Sequence, residues 1–127
     1  MTQSTTTAFP QLAGHFFLSL TTYRKNGDPV ATPVWFAQAG DTVYVMTMGV
    51  SGKAKRIRNT GKVRVAPCDR IGTLLGEAAE ASARIVDAEE RTVADAALSA
   101  KYGEQKKQFD SQLTNPADRV YIAITAA

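Results

Sequence analysis

The sequence predicts an α+β fold that is mostly β, a small closed or nearly closed barrel of six or so antiparallel strands with one short basic helix and one longer helix packed at its edges. Three observations predict it. Short apolar, β-branched segments alternate with tight-turn signals, of which Asn26-Gly27 is the strongest. Two stretches read as helices of more than a turn, 53–59 and the alanine-rich run from 87 to about 109. No internal repeat or low-complexity linker interrupts the pattern.

Residues 1–7 (MTQSTTT) are small and polar and read as a frayed tail, and 9–14 as a short turn of helix. The apolar segment 15–23 reads as a strand entering the Asn26-Gly27 hairpin. Its partner 30–38 (VATPVWFAQ) is strand-like but interrupted by Pro33, which cannot donate to a ladder and belongs at an edge or bulge. Gly40-Asp41 turns the chain into a third strand, 42–48 (TVYVMTM), with apolar residues on both faces. Ser51 stands where an N-cap belongs, and 53–59 continues as a helix ended by Thr60-Gly61. Basic and apolar residues alternate over 62–67, a fourth strand. Residues 74–86 carry mixed signals and read as strand. Asp87 with Glu90 resembles a capping box and starts the long helix, and Val120, Ile122 and Ile124 alternate along a last strand, 119–125.

A chain of 127 residues, 44% apolar and 21% charged, fits one domain spanning 1–127. No apolar run approaches the roughly 20 residues that cross a bilayer. The N-terminus has neither the basic start nor the apolar stretch of a secretory signal, so the expectation is a soluble, cytoplasmic protein. The single cysteine, Cys68, excludes an internal disulfide, and with His15 the only histidine no metal site is expected. Cys68 lacks a histidine to activate it and reads as a small packed residue; His15 reads as structural.

The net charge of +3 is modest, but its distribution is uneven. From Ser51 to Arg70 there are seven cations (Lys53, Lys55, Arg56, Arg58, Lys62, Arg64, Arg70) against one anion, Asp69. Gly49 to Lys53, GVSGK, is no phosphate loop of the nucleotide-hydrolase kind: GxxxxGK[ST] would need glycine at Thr47 and a hydroxyl residue at Ala54. Nucleic-acid binding is disfavoured, since no aromatic residue lies between Ser51 and Arg70 to stack a base. Two readings stay open, a solvated helix face and a small-molecule phosphate site. Lys53 in the first turn opposes the helix dipole unless an anion balances it, which favours the second.

In order and spacing, VATPVWF, YVMTM, SGKAKRIRNTGKVRV and APCDRIG resemble the pyridoxamine 5'-phosphate oxidase-like split-barrel superfamily, and within it the flavin/deazaflavin oxidoreductases that use coenzyme F420. The resemblance runs over 16–86. It implies a split β-barrel and a homodimer with cofactor sites at the subunit interface. It further implies that Ser51 and Lys53 start the helix that holds the cofactor phosphate, that Thr47 and Met48 line the phosphate and ribityl chain, and that Thr32, Pro33, Val34 and Trp35 lie along the ring. Gly52 stands where relatives carry a second basic residue, an arginine, which tilts the expectation from FMN to F420. Lys55, Arg56 and Arg58 would meet that cofactor's glutamate tail. The activity implied is hydride transfer between reduced deazaflavin and an electron-poor small molecule, an enone or quinone-like compound. The alternatives are an FMN-dependent oxidase or reductase and a non-catalytic F420 or haem binding module.

Overall fold

The computed structural model describes residues 9–127; the expected frayed tail, 1–7, lies outside the described residues. Seven strands form one antiparallel sheet: β1 (Phe17–Tyr23), β2 (Pro29–Val34), β3 (Ala37–Ala39), β4 (Thr42–Met48), β5 (Lys62–Cys68), β6 (Ala79–Ile85) and β7 (Arg119–Ala126). Helix α1 (Gly52–Asn59) follows β4, and α2 (Ala88–Tyr102) and α3 (Glu104–Ser111) lie between β6 and β7. The strand order is β2-β1-β5-β6-β7-β4-β3. The two edge strands, β2 and β3, are thus neighbours in sequence, separated by Trp35 and Phe36 alone. A two-residue link can join opposite edges of a seven-stranded sheet only if the sheet curls until they meet. The result is a barrel closed by the chain and split where β2 and β3 fail to pair.

Pro33 does not make that break. It sits within β2, opposite Ser19 of β1, on an edge strand where a missing N–H costs no outer ladder bond. The single strand expected over 30–38 is two strands, parted at Trp35-Phe36. The buried Tyr102 side chain satisfies the parted backbone: its hydroxyl accepts the Phe36 N–H at 3.0 Å and donates to the Phe16 carbonyl at 2.6 Å, with the Phe36 carbonyl also at 3.0 Å. Burial pushes the Tyr102 phenol up to about 12, despite an opposing backbone hydrogen bond, so it stays a neutral donor near pH 7.

Strand alternation divides the apolar residues into two cores. Val43 and Val45 of β4 and Ile122 and Ile124 of β7 point into the barrel with Leu18, Leu20, Val63 and Val65, and Ile57 of α1 joins them. Tyr44, Tyr121 and Ala123 point outward, under Ala94, Leu98 and Tyr102 of α2. This double burial explains why β4 is apolar on both faces.

Ser51 and Asp87 cap α1 and α2 as expected, their side chains accepting from Ala54 N and Glu90 N. The long helix expected to about residue 109 is broken into α2 and α3 at Gly103, whose φ of 55° and ψ of −122° no helix accommodates. The strand expected over 74–86 is shorter, beginning at Ala79; the preceding loop touches β5 through a single bridge between Leu74 and Cys68. Gly61 is not a left-handed helix stop. A Cβ there would stand 2.7 Å from the Ala83 carbonyl, so its role is close backbone approach between the end of α1 and β6. Among the described residues no helix is long and apolar enough to cross a membrane.

Candidate functional site

A cleft of ≈ 360 Å³ opens where β2, β4 and the start of α1 converge beside the split. Six residues singled out in the sequence line it: Pro33, Val34, Trp35, Thr47, Met48 and Lys53. Phe17, Met46, Phe109 and Arg119 complete it, and no carboxylate does. Sequence reasoning missed these four. Phe109 could have been noticed as a lone aromatic in the polar stretch EQKKQFDS, and Met46 as a neighbour of Thr47 on its strand. Arg119 gave no local sign.

The two cations of the cleft differ in their partners. Arg119 is buried and ion-paired to Asp110 of α3. Lys53 is half-buried, and among the described residues no carboxylate lies within ion-pair distance of it. Burial and then the Arg56 charge pull its ammonium below the usual lysine value. Its position in the first turn of α1, where backbone N–H groups have no intrahelical partner, compounds the positive field.

Ser51 is engaged by the helix: its hydroxyl caps Ala54 N at 3.2 Å and meets the Thr47 hydroxyl at 3.1 Å. The remaining cations of α1 do not line the cleft. Lys55 is exposed, Arg58 donates to the Gly49 carbonyl at 2.7 Å, and Arg56 donates through Nε to the Thr22 hydroxyl of β1 at 2.6 Å. In that position the Arg56 guanidinium covers Gly52: a Cβ on residue 52 would stand 2.7 Å from Arg56 Nη1. Burial, then Arg24, pulls this guanidinium down, so Arg24, Arg56 and Lys53 form a succession of mutually repelling charges. Thr32 is not among the lining residues, but it shares a face of β2 with Val34, and its Oγ1 is buried without a hydrogen-bond partner among the described residues.

Around Trp35 the cleft continues into a larger one of ≈ 710 Å³, lined by Phe16, Phe17, Trp35, Arg70, Tyr102, Gln105 and Phe109. Trp35 therefore walls both, stacked on Tyr102 with centroids 4.2 Å apart and 6° between planes, and met edge-on by Phe109 at 4.8 Å. Beside this aromatic group the Lys101 ammonium lies 3.4 Å from the Phe36 ring centre, and burial lowers it to about 8. Cys68 is buried and lines neither cleft.

Among solved structures the chain resembles a conserved hypothetical protein, Rv2991, of Mycobacterium tuberculosis, at 25% identity and a TM-score of 0.67 over 89% of this chain and 74% of that one. It also resembles the haem storage protein HutZ of Vibrio cholerae (19% identity, TM-score 0.70, 90% and 83% covered). An FAD-binding protein of Mesorhizobium loti matches at 17% identity and a TM-score of 0.68, with 94% and 87% covered. At these last two identities the likeness concerns the fold alone. No curated protein matches the sequence. The family model for pyridoxamine 5'-phosphate oxidase matches residues 5–127, a span that includes every strand and helix described above. A curled antiparallel sheet split between β2 and β3, with a cationic helix start at the split, is thus the form this sequence gives to a shared architecture, and the chain belongs to the pyridoxamine 5'-phosphate oxidase family.

Proposed function

We propose that the protein is an F420-dependent oxidoreductase that transfers a hydride between the reduced deazaflavin and an electron-poor small molecule, an enone or quinone-like compound. Lys53 carries the reading. It is a half-buried ammonium at a helix N-terminus, with no carboxylate partner among the described residues, lining a cleft whose other walls include Val34, Trp35, Met46 and Met48 and whose second cation, Arg119, is already paired with Asp110. Such a site is complementary to a ligand with a phosphate at one end and a flat apolar ring at the other.

When bound, the deazaflavin supplies the hydride, which leaves the protein to bind, orient and exclude water. Lys53 and the first-turn N–H groups of α1 hold the phosphate. Pro33, Val34 and Trp35 flank the ring, Thr47 and Met48 shape the passage between ring and phosphate, and Ser51 fixes the helix start. Arg56, Lys55 and Arg58 act on the glutamate tail through their field. A homodimer, with a second subunit completing the site, belongs to this reading.

Arg56 also supports a second reading, FMN. Its guanidinium stands over Gly52, beside Lys53, so a phosphate at this helix start has a guanidinium within reach even though residue 52 is not an arginine. The choice of F420 then rests on the cations that face away from the cleft. A third reading is storage or carriage of F420 or haem without turnover.

The test is titration of the purified protein with F420 and with FMN, followed by ligand fluorescence. Tighter binding of F420 supports the first reading and tighter binding of FMN the second; binding of neither sinks both. Loss of a charged hydrogen bond costs about 1.5–3 kcal/mol, so Lys53→Ala should weaken the bound cofactor by roughly 10- to 150-fold. Lys62→Ala should change it little, because Lys62 lies over the Tyr23 ring at 5.3 Å, outside the cleft. Equal losses at both positions would return the cluster to a diffuse charged surface. Tight F420 binding without reduction of any enone or quinone would favour the third reading.

A further inference from the structure

The larger cleft has a composition of its own. Its walls are the rings of Phe16, Phe17, Trp35, Tyr102 and Phe109, and its polar lining groups are the Tyr102 hydroxyl, the Trp35 indole N–H, Arg70 and Gln105. The hydroxyl is committed to backbone groups of residues 16 and 36. Arg70 is therefore the single full charge among the side chains that line this aromatic chamber.

Arg70 follows Asp69 in sequence but is not neutralised by it. The Asp69 carboxylate turns inward on its own loop, accepting the N–H groups of Ile71 at 3.0 Å and Thr73 at 2.9 Å. The same loop is closed by bonds from Gly72 N to Asp69 O and from Asp69 N to Thr73 O, with Gly72 at a φ of 98°. The carboxylate is thus spent on fixing the loop that presents the guanidinium. Among the described residues Arg70 has no ion-pair partner. The Lys101 ammonium, 5.7 Å and 5.4 Å from the ring centres of Phe16 and Tyr102, adds to the positive field at the same walls.

We propose that this chamber binds a planar, electron-poor aromatic or quinoid acid, its ring packed against the Trp35 and Phe109 walls and its anionic group on Arg70. The negative faces of the Trp35 and Phe109 rings favour an electron-poor partner, and the planar fork of a guanidinium suits a carboxylate. The inference rests on the oxidoreductase reading in that the chamber is then the place of the hydride acceptor, adjoining the cofactor cleft across Trp35.

Trp35 is the chain's single tryptophan and walls both clefts, so its fluorescence reports binding in either, and variants at Arg70 and Lys53 tell them apart. The probes are 4-nitrobenzoate and its neutral analogue 4-nitrobenzamide, both electron-poor quenchers, titrated without cofactor. Saturable quenching is expected from both, with the acid bound roughly tenfold more tightly, as a charge-assisted hydrogen bond predicts. Arg70→Gln should remove that preference and leave F420 or FMN affinity unchanged, while Lys53→Ala should do the reverse. Equal affinity for the two probes, linear unsaturable quenching, or an acid preference that survives Arg70→Gln would overturn the proposal. An acid preference lost in Lys53→Ala would place the acid in the phosphate cleft and overturn it equally. Failure of both cofactors to bind, with the acid preference and its dependence on Arg70 intact, would sink the oxidoreductase reading alone.

Discussion

Lys106 and Lys53 are both lysines near the start of a helix, and the molecule treats them in opposite ways. Lys106 on α3 is 1% exposed, and its ammonium reaches Asp95 of α2 at 2.7 Å and Asp110 at 2.8 Å. Asp110 also pairs with Arg119 of β7, and Asp95 accepts the Tyr121 hydroxyl at 2.6 Å. Burial pulls the Lys106 ammonium down, but hydrogen bonds to Asp110 and Asp95 outweigh it and hold the group above its usual value. Lys53 has burial and a neighbouring Arg56 and nothing to offset them. A cation whose charge is met inside the fold serves the fold. One whose charge is left unmet beside a cleft adds nothing to the fold, and the proposed function gives it a ligand to hold.

The largest effect expected from this contrast is on stability. Lys106→Met leaves Asp95, Asp110 and Arg119 in a broken network and detaches α3 from α2. Breaking a buried pair costs about 3–5 kcal/mol, reduced here to about 2–3 because the two carboxylates are nearly half exposed and can rehydrate. Denaturant unfolding measures it. A loss below about 0.5 kcal/mol, the range of ordinary surface substitutions, would break the comparison by making Lys106 incidental.

Next is Tyr102→Phe, which keeps the ring stacked on Trp35 and removes only the hydroxyl. The Phe36 N–H and the Phe16 carbonyl then lose their partner at the split, and a buried backbone group left unsatisfied costs about 1–3 kcal/mol. Unfolding should shift by that amount. Amide exchange at Phe36 should accelerate by more than at Val45 in the barrel core; equal acceleration would mean that the hydroxyl supports the fold generally and not the split.

What the sequence made legible follows the range of the interactions involved. Strands β1, β4, β5 and β7 and the caps Ser51 and Asp87 were readable because each depends on residues within a few positions. Local chemistry puts the break between β2 and β3 at Pro33, the strand breaker, whereas it is made at Trp35-Phe36 by closure of the sheet and a tyrosine 66 positions away. Gly103 lay in plain sight within an alanine-rich run, but only its left-handed backbone ends α2 there. In the candidate site, Pro33, Val34, Trp35, Thr47, Met48 and Lys53, singled out through the resemblance, line one cleft, whereas Thr32 and Ser51 do not. Arg56 and Arg58 looked equivalent to Lys53 in sequence, and only the paths of their side chains, to Thr22 and Gly49, separate them.

The smallest effect sharpens the comparison most, because its sign is opposite. A lysine whose folded-state affinity for protons is lowered destabilises the native state while it is charged. That penalty is complete below the folded pKa and vanishes as pH rises past the unfolded value of about 10.4. With no ligand bound, Lys53→Met should therefore be more stable than the parent at pH 7, by at most about 0.5 kcal/mol because the ammonium is half exposed and screened. The difference between the two should shrink as pH is raised toward 10.4, since only the parent carries the titrating group. With cofactor bound the order should reverse, the parent gaining stability from a ligand that Lys53 helps to hold. A Lys53→Met protein less stable than the parent in the absence of ligand would mean that the ammonium has a partner within the fold, and that Lys53 and Lys106 differ in degree and not in kind.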